Sequence, residues 1–289
     1  MASPRDYKNA IIPNWCPGCG DFGIQNAIQA AVAERNIPFE NLALISGIGC
    51  SSRIGGYLYC YGAHTTHGRA LPFAQGIKGA NKDLHVLVCS GDGDSYAIGL
   101  GHAMHAMKRN MNITYLVFDN QVYGLTKGQT SPRSPKGFVT KTTPLGNWET
   151  PLSVIPMAIA CGCTFVAQSF ALDRKQLSSI IGKALDHKGF SYVNIFTPCV
   201  TFNHFNTFEW YKEHLKTIED VRPDGYNPES KAEAMQLLVE TDSLVTGVIY
   251  EDKNELCFED TMPEGEVPPA QKTAKPDEAV FADLCRAFR

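Results

Sequence analysis

Residues 84–120 read "LHVLVCSGDGDSYAIGLGHAMHAMKRNMNITYLVFDN". An apolar run of strand length ends in two glycines around an aspartate, a segment of helical character follows, and a second apolar run closes on Asp119 and Asn120. Continuously apolar runs mark strands covered on both faces, so this stretch is expected to form one βαβ unit with parallel strands. The alternation extends outward in both directions. Upstream, "DFGIQNAIQAAVAERN" spaces Ile24, Ala27, Ile28 and Ala31 as a helix does, with Asp21 as a candidate N-cap. "NLALISGIGC" is expected to be a strand ending near Cys50, before a loop "HTTHGRAL" and a small-residue helix over residues 72–80. Downstream, "PLSVIPMAIAC" leads into a strand "TFVAQSF", Asp173 opens a helix "RKQLSSIIGKALDHKG", and "FSYVNIFTPC" supplies a last strand. This pattern predicts an α/β fold, a parallel sheet with helices on both faces.

Cys50, the "GDG", the "DN" and Cys199 each follow an expected strand. They should therefore share the carboxyl edge of the sheet, where loops and helix N-termini converge on ligands. The sequence after about Phe205 is polar, acidic and irregular, rich in Glu, Lys and Pro. Two parts are expected: residues 1–205 as the ligand-binding domain and residues 206–289 as an extension that packs on a partner or stays mobile, not a second domain.

The 289 residues carry a net charge of −4 and have a pI near 6.1. Without a basic footprint or an Arg-rich aromatic platform, nucleic acid is not an expected partner. The N-terminus lacks a charged start followed by an apolar core, and no apolar run approaches the ~18 residues of a membrane span, so a cytoplasmic protein is expected. Ten cysteines in a reducing compartment suit metal binding or redox work better than disulfides.

Two constellations carry chemistry. In the first, Gly91, Asp92 and Gly93 are followed after 26 residues by Asn120. Glycines let backbone N–H groups approach a phosphate, and an intervening helix is expected to aim its N-terminus at the loop. A diphosphate needs a divalent counterion, and the hard oxygens of Asp92 and Asn120 suit Mg²⁺. Each motif alone is a common turn or strand end; placed across one βαβ unit, they describe a diphosphate clamp resembling the binding motif of thiamine-diphosphate enzymes. The dinucleotide fingerprint G-x-G-x-x-G and Walker A are both absent. His102 and His105, three apart without a carboxylate partner, are expected to be ordinary helix residues.

In the second, Cys16 and Cys19 of "WCPGCGD" have C-x-x-C spacing, and Cys50 and Cys199 lie at the expected ligand edge. Four thiolates suit tetrahedral zinc or an iron–sulfur cluster equally, so spacing leaves both open. An oxidising thiamine enzyme without a flavin or nicotinamide fingerprint needs an electron acceptor, which a cluster supplies. Cys60, Cys89, Cys161 and Cys163 are expected to be core or loop thiols, and Cys257 and Cys285 to be incidental.

Together, "WCPGCGDFG", "GIGCSSR", "HTTHGRA", "GDGDSYAIG", "FDNQVYGLTKGQTSP" and "TPC" resemble the β subunits of 2-oxoacid:ferredoxin oxidoreductases, most closely the 2-oxoglutarate enzymes, over roughly residues 10–205. The resemblance implies that Cys16, Cys19, Cys50 and Cys199 ligate a 4Fe-4S cluster. It implies that Asp92, Asn120 and the Val122 carbonyl hold Mg²⁺, and that Ile48, Gly49, Cys50, Ser51, His67, Gly93, Asp94, Gly124 and Leu125 line thiamine diphosphate. Arg53 and Lys127, cations near the ligand edge, are expected with His67 to meet the 2-oxoacid carboxylates or coenzyme A, and Arg69 completes the "THGR" motif. The implied reaction is coenzyme A-dependent oxidative decarboxylation of a 2-oxoacid, or its reverse, with electrons leaving through the cluster to ferredoxin.

A non-oxidative thiamine decarboxylase or acetolactate-type synthase would share the clamp but not need the four cysteines. A non-catalytic iron–sulfur or zinc module would share the cysteines but not need the clamp. One set of about five strands is also only half a thiamine site, because the carboxylate that meets the aminopyrimidine ring comes from a second α/β domain. That pyrimidine-binding domain is expected from an α subunit, in an αβ or (αβ)2 assembly.

Overall fold

In the computed structural model, residues 2–261, 269–271 and 277–287 are described. The strands are β1 (Leu42–Ser46), β2 (Tyr61–His64), β3 (His85–Gly91), β4 (Ile113–Asp119), β5 (Val122–Tyr123), β6 (Gln129–Thr130), β7 (Phe165–Phe170), β8 (Phe190–Phe196), β9 (Lys216–Thr217) and β10 (Val245–Glu251). Eight of them form one sheet in the order β2-β1-β3-β4-β8-β7-β10-β9, with β5 and β6 as a separate hairpin. Every pairing in the large sheet is parallel except β10 with β7. The α-helices are α1 (Asp21–Glu34), α2 (Ala70–Ala80), α3 (Asp92–Tyr96), α4 (Leu100–Arg109), α5 (Val154–Ala160), α6 (Arg174–Asp186), α7 (Phe208–His214), α8 (Ile218–Val221), α9 (Lys231–Glu240) and α10 (Glu278–Ala287).

The period of two along each strand divides the core. Leu87, Cys89, Leu116, Phe118, Val193 and Ile195 pack with Ile24, Ile28 and Val32 of α1 and Leu177 and Ile181 of α6. Val86, Val88, Ile113, Tyr115, Val117 and Tyr192 face the other way, onto Leu71 and Ala74 of α2, Ala103 and Met107 of α4, Ile155 of α5 and Leu237 of α9. Burying a Leu or Ile side chain is worth about 1.5–3 kcal/mol, which is why the central strands are apolar on both sides. Among the described residues, no helix is long and apolar enough to cross a membrane.

Five points differ from expectation. Asp21 does not cap α1: Gly20 holds the N-cap position, and the Asp21 side chain is buried instead. Asp173, by contrast, caps α6 as expected, accepting from Gln176 N at 3.0 Å. The helix after the "GDG" is not continuous and starts earlier than expected. It begins at Asp92, runs five residues as α3 and breaks before α4. Close packing at the break requires glycine at position 99, since a Cβ there would stand 2.3 Å from the Asp94 carbonyl and 3.2 Å from Gly68 Cα. The first strand ends at Ser46, short of Cys50, and a 3-10 helix (Ser51–Gly56) follows. An unexpected edge strand, β2, pairs beside β1; its largely exposed residues carry no alternation to reveal it.

The largest correction concerns residues after 205. They are not an irregular extension: α9 and β10 put Ala234, Leu237, Leu238, Val245, Ile249 and Tyr250 into the core, and β10 pairs along β7. The expected boundary at 205 therefore does not end the sheet. Part of the expected docking extension, residues 262–268 and 272–276, lies outside the described residues.

Candidate active site

The loops after β1, β3, β4 and β8 meet at one edge of the sheet and enclose two adjoining cavities. One, of about 190 Å³, is lined by Ile48, Gly49, Cys50, Ser51, His67, Asp92, Gly93, Asp94, Asn120, Val122, Gly124 and Leu125, with Gly91, Tyr123 and Thr126. All twelve residues expected at the diphosphate and its cation thus surround one space. The second, of about 210 Å³, is lined by Cys16, Cys19, Cys50 and Cys199 together with Asp21, Arg53, Lys127 and Thr197, among others. Cys50, Asn120, Gly124 and Leu125 belong to both linings and form the shared wall.

Asp94 ties the first cavity together. Its Oδ1 accepts from Ile48 N at 3.1 Å and Gly68 N at 2.7 Å, and lies 2.6 Å from His67 Nδ1. One buried carboxylate thereby fixes the loop after β1, the "THGR" loop and the His67 ring. A buried carboxylate is stable only when donors surround it in this way. Arg69 is anchored nearby, Nη1 donating to the Ile98 carbonyl at 3.2 Å across the break between α3 and α4. Tyr123 was not singled out by sequence, yet its OH donates to the Gly93 carbonyl at 3.1 Å and its ring stands edge-on to His67. A Cβ on Gly93 would sit 2.3 Å from that ring, so glycine is required by close approach. No local pattern announces an aromatic packed on a glycine 30 residues away in the chain.

The cation ligands named from sequence are brought together. Asp92 is 1% exposed, and burial, reinforced by the nearby Asp119 carboxylate, pushes its carboxyl well above the usual range. An ionised carboxylate in that position calls for a positive charge. Asn120 Oδ1 accepts from Val122 N at 3.1 Å, which closes the turn after β4 and places the Val122 backbone against the cavity. Asp119 itself is wholly buried and ion-paired to Arg133 Nε at 3.0 Å. This pair and Ser131, which donates to Asp92 Oδ2, were not legible in the sequence as parts of the site.

In the second cavity, Trp15 Nε1 donates to the Cys50 carbonyl at 2.7 Å, and Cys19 N donates to the Cys16 carbonyl at 3.0 Å in the tight C-x-x-C turn. A Cβ on Gly124 would lie 3.6 Å from both the Cys50 and the Cys199 Sγ, so these two thiols flank one bare backbone position. Burial raises the Cys19 and Cys199 thiols and pushes Cys50 up to about 11. Neutral thiols are thus favoured until a metal centre stabilises the thiolates. Asp21 joins them, with burial lifting its carboxyl to about 7; Thr197 Oγ1 lies 3.4 Å from Oδ1, while Oδ2 has no partner. Among the described residues, no three His, Cys, Asp or Glu side chains converge closely enough to hold a single metal ion. The four thiols line a cavity instead.

Arg53 and Lys127 lie on the cysteine side of the shared wall and are exposed. Arg53 Nε donates to Tyr57 OH at 3.1 Å, and that hydroxyl donates to Asn14 Oδ1 at 2.7 Å, which holds the guanidinium at the rim. Cys60, Cys89, Cys161, Cys163, Cys257 and Cys285 line neither cavity, and nor do His102 and His105.

Residues 47–195 match the family described as thiamine pyrophosphate enzyme, C-terminal TPP binding domain. Residues 199–266 match the family described as the C-terminal part of the pyruvate ferredoxin oxidoreductase beta subunit. The chain is similar to the 2-oxoacid:ferredoxin oxidoreductase 2, subunit beta, of Aeropyrum pernix, with 40% identity over 89% of this chain and 86% of the relative. It is 44% identical to the 2-oxoglutarate synthase subunit KorB of Methanocaldococcus jannaschii over 71% of this chain and 77% of the relative. A solved 2-oxoglutarate:ferredoxin oxidoreductase from Magnetococcus marinus, with 2-oxoglutarate, coenzyme A and succinyl-CoA bound, superposes with a TM-score of 0.88. The match has 38% identity and covers 98% of this chain and 95% of that one.

Proposed function

The chain belongs to the β subunits of the 2-oxoacid:ferredoxin oxidoreductases, and from that premise we propose that its two cavities hold Mg²⁺–thiamine diphosphate and a 4Fe-4S cluster for coenzyme A-dependent oxidation of 2-oxoglutarate. The observation that carries this reading is the adjacency of a cavity lined by all the expected clamp residues to one lined by all four named thiols, across a shared wall. A decarboxylase would use only the first cavity, and an electron-transfer module only the second.

When bound, thiamine diphosphate supplies an electron sink for loss of the carboxylate and the cluster a one-electron acceptor that can pass charge to ferredoxin. Asp92, the Asn120 amide and the Val122 carbonyl offer hard oxygens to Mg²⁺, and Gly93 leaves the backbone open to the diphosphate. His67, whose Nδ1 is held by Asp94, presents its other ring nitrogen in a fixed orientation. Cys16, Cys19, Cys50 and Cys199, which line one cavity, would supply the four thiolates of the 4Fe-4S cluster. Arg53 and Lys127 supply positive charge at the rim for a dicarboxylate or coenzyme A phosphates.

No glutamate lines the diphosphate cavity among the described residues. The carboxylate for the aminopyrimidine ring is therefore assigned to the pyrimidine-binding domain of an α subunit, in an αβ or (αβ)2 assembly. Docking by the C-terminal part falls to residues beyond β10, where α10 exposes Val280, Phe281 and Leu284. The location assigned is the cytoplasm, where the thiols stay reduced.

The test is anaerobic purification of the chain alone and with its α partner, followed by assay with 2-oxoglutarate, coenzyme A and a viologen acceptor. A brown absorption that bleaches with dithionite, and turnover only in the assembled enzyme, are expected. A colourless zinc-loaded protein, or full activity from the lone chain, overturns the reading.

A further inference from the structure

Residues 131–134 lie between the two halves of the clamp and bond to both. Ser131, 5% exposed, donates its hydroxyl proton to Asp92 Oδ2. Ser131 Oγ accepts from Arg133 N at 3.2 Å, so its acceptor side is occupied and its proton is directed at the carboxylate. Ser131 N donates to Ser134 Oγ at 2.8 Å, and that hydroxyl donates to the Gln121 carbonyl at 2.6 Å, which anchors the segment to the turn after β4. Arg133 reaches the other side: Nε meets Asp119 Oδ2 at 3.0 Å and Nη1 donates to the Leu152 carbonyl at 2.6 Å.

The two buried carboxylates are thus treated differently. Asp119 receives a guanidinium and the Asn194 amide, at 3.1 Å from Oδ2. Asp92 is hydrogen-bonded by the neutral Ser131 hydroxyl, and the Arg133 charge acts on it without a direct bond. Of two buried negative charges, one is neutralised by Arg133, and the other is left for a cation at the cavity wall. A hydroxyl is suited to that place, because it fixes the rotation of the carboxylate without cancelling its charge.

We propose that Ser131 is a positioning residue for the Mg²⁺ of the diphosphate: it holds Asp92 in the orientation the cation needs, while Arg133 confines Asp119 to a structural role. The inference rests on Asp92 being a Mg²⁺ ligand, and such outer partners typically change metal affinity 10–100-fold.

The test uses the assembled enzyme, freed of divalent cations with its iron retained and titrated with Mg²⁺ at saturating thiamine diphosphate, with heat release and quenching of intrinsic fluorescence as readouts. Asp92→Asn, Ser131→Ala and the nearly isosteric poor donor Ser131→Cys are compared with the unaltered enzyme, and the thermal midpoint of each metal-free protein is recorded. Both Ser131 variants are expected to need roughly tenfold or more Mg²⁺ for half-saturation, with metal-free midpoints unchanged. Should Ser131→Ala fail to assemble, Ser131→Cys decides. If Asp92→Asn weakens Mg²⁺ binding and the Ser131 variants do not, the positioning role is overturned and the Asp92 reading stands. If none of the three shifts half-saturation, the Asp92 reading falls as well. A lowered metal-free midpoint with unchanged Mg²⁺ dependence makes Ser131 a packing residue and overturns the proposal.

Discussion

The two cavities share a wall and differ in how their polar atoms are satisfied. Around the diphosphate cavity each buried carboxylate has at least one close donor: Asp94 has three, Asp119 has Arg133 and Asn194 on Oδ2 although its Oδ1 is unpartnered, and Asp92 has Ser131. Around the cysteine cavity, burial opposes ionisation of the thiols, and Asp21 Oδ2 is left without a partner. The first site is preorganised by the protein and needs a ligand to complete one charge. The second depends on its occupant to become a favourable environment, so its assembly and its metal content should be inseparable.

That difference can be probed by substitutions that strike one cavity at a time. The largest effect is expected from Cys199→Ser, which should lose most of its iron, as Cys16→Ser should, because each opens the same centre. Cys161→Ser should keep its full iron content, and iron assay with visible absorption checks all three. Asp92→Asn is expected to weaken thiamine diphosphate binding in the presence of Mg²⁺ about 100-fold, in line with the ~2–5 kcal/mol for truncating a buried charge partner. Calorimetry should show this while iron content stays full. Gly124→Ala sharpens the comparison, since a methyl on the shared wall meets both thiols at contact distance. It alone should move both readouts, with about a tenfold loss of cofactor affinity and an altered electron paramagnetic resonance signal of the reduced centre.

The smallest effect lies away from both cavities. Burial lowers the pKa of His187, whose Nε2 lies 2.8 Å from Thr164 Oγ1 and whose Nδ1 lies 3.8 Å from Glu251. Below the unfolded value near 6.5 the unfolded chain binds a proton that the folded one resists, so this group's contribution is present above that pH and is lost as pH falls. His187→Asn should flatten the acid limb of the thermal midpoint and leave iron and cofactor binding unchanged.

The ligand edge was legible because its chemistry restricts residue type. Only glycine can pass Tyr123 at position 93, the proposed cluster calls for thiols at 16, 19, 50 and 199, and those residues stand out against any background. Tyr123, Ser131 and the Asp119–Arg133 pair were hidden because tyrosine, serine and arginine are at home in countless places, and their roles arise from contacts distant in sequence. The chain beyond 205 misled for a related reason. Its helices α7 and α8 span seven and four residues, too short for a helical period to register. In β10, Gly247 at φ +138° and a register shift between Val248 and Tyr250 break the strand pattern.

The position of β10 also has a consequence for how the protein is made. A chain synthesised as far as residue 205 holds every residue of both cavities, yet β7 still presents an open strand edge. That edge is covered only by β10, and the apolar face beneath α9 is closed only once Leu237 and Leu238 have emerged. Unpaired edges of this kind invite pairing with other chains. The nascent subunit is therefore most vulnerable to self-association after its chemistry has been encoded and before its sheet is complete, and a product ending at residue 205 should accumulate as aggregate.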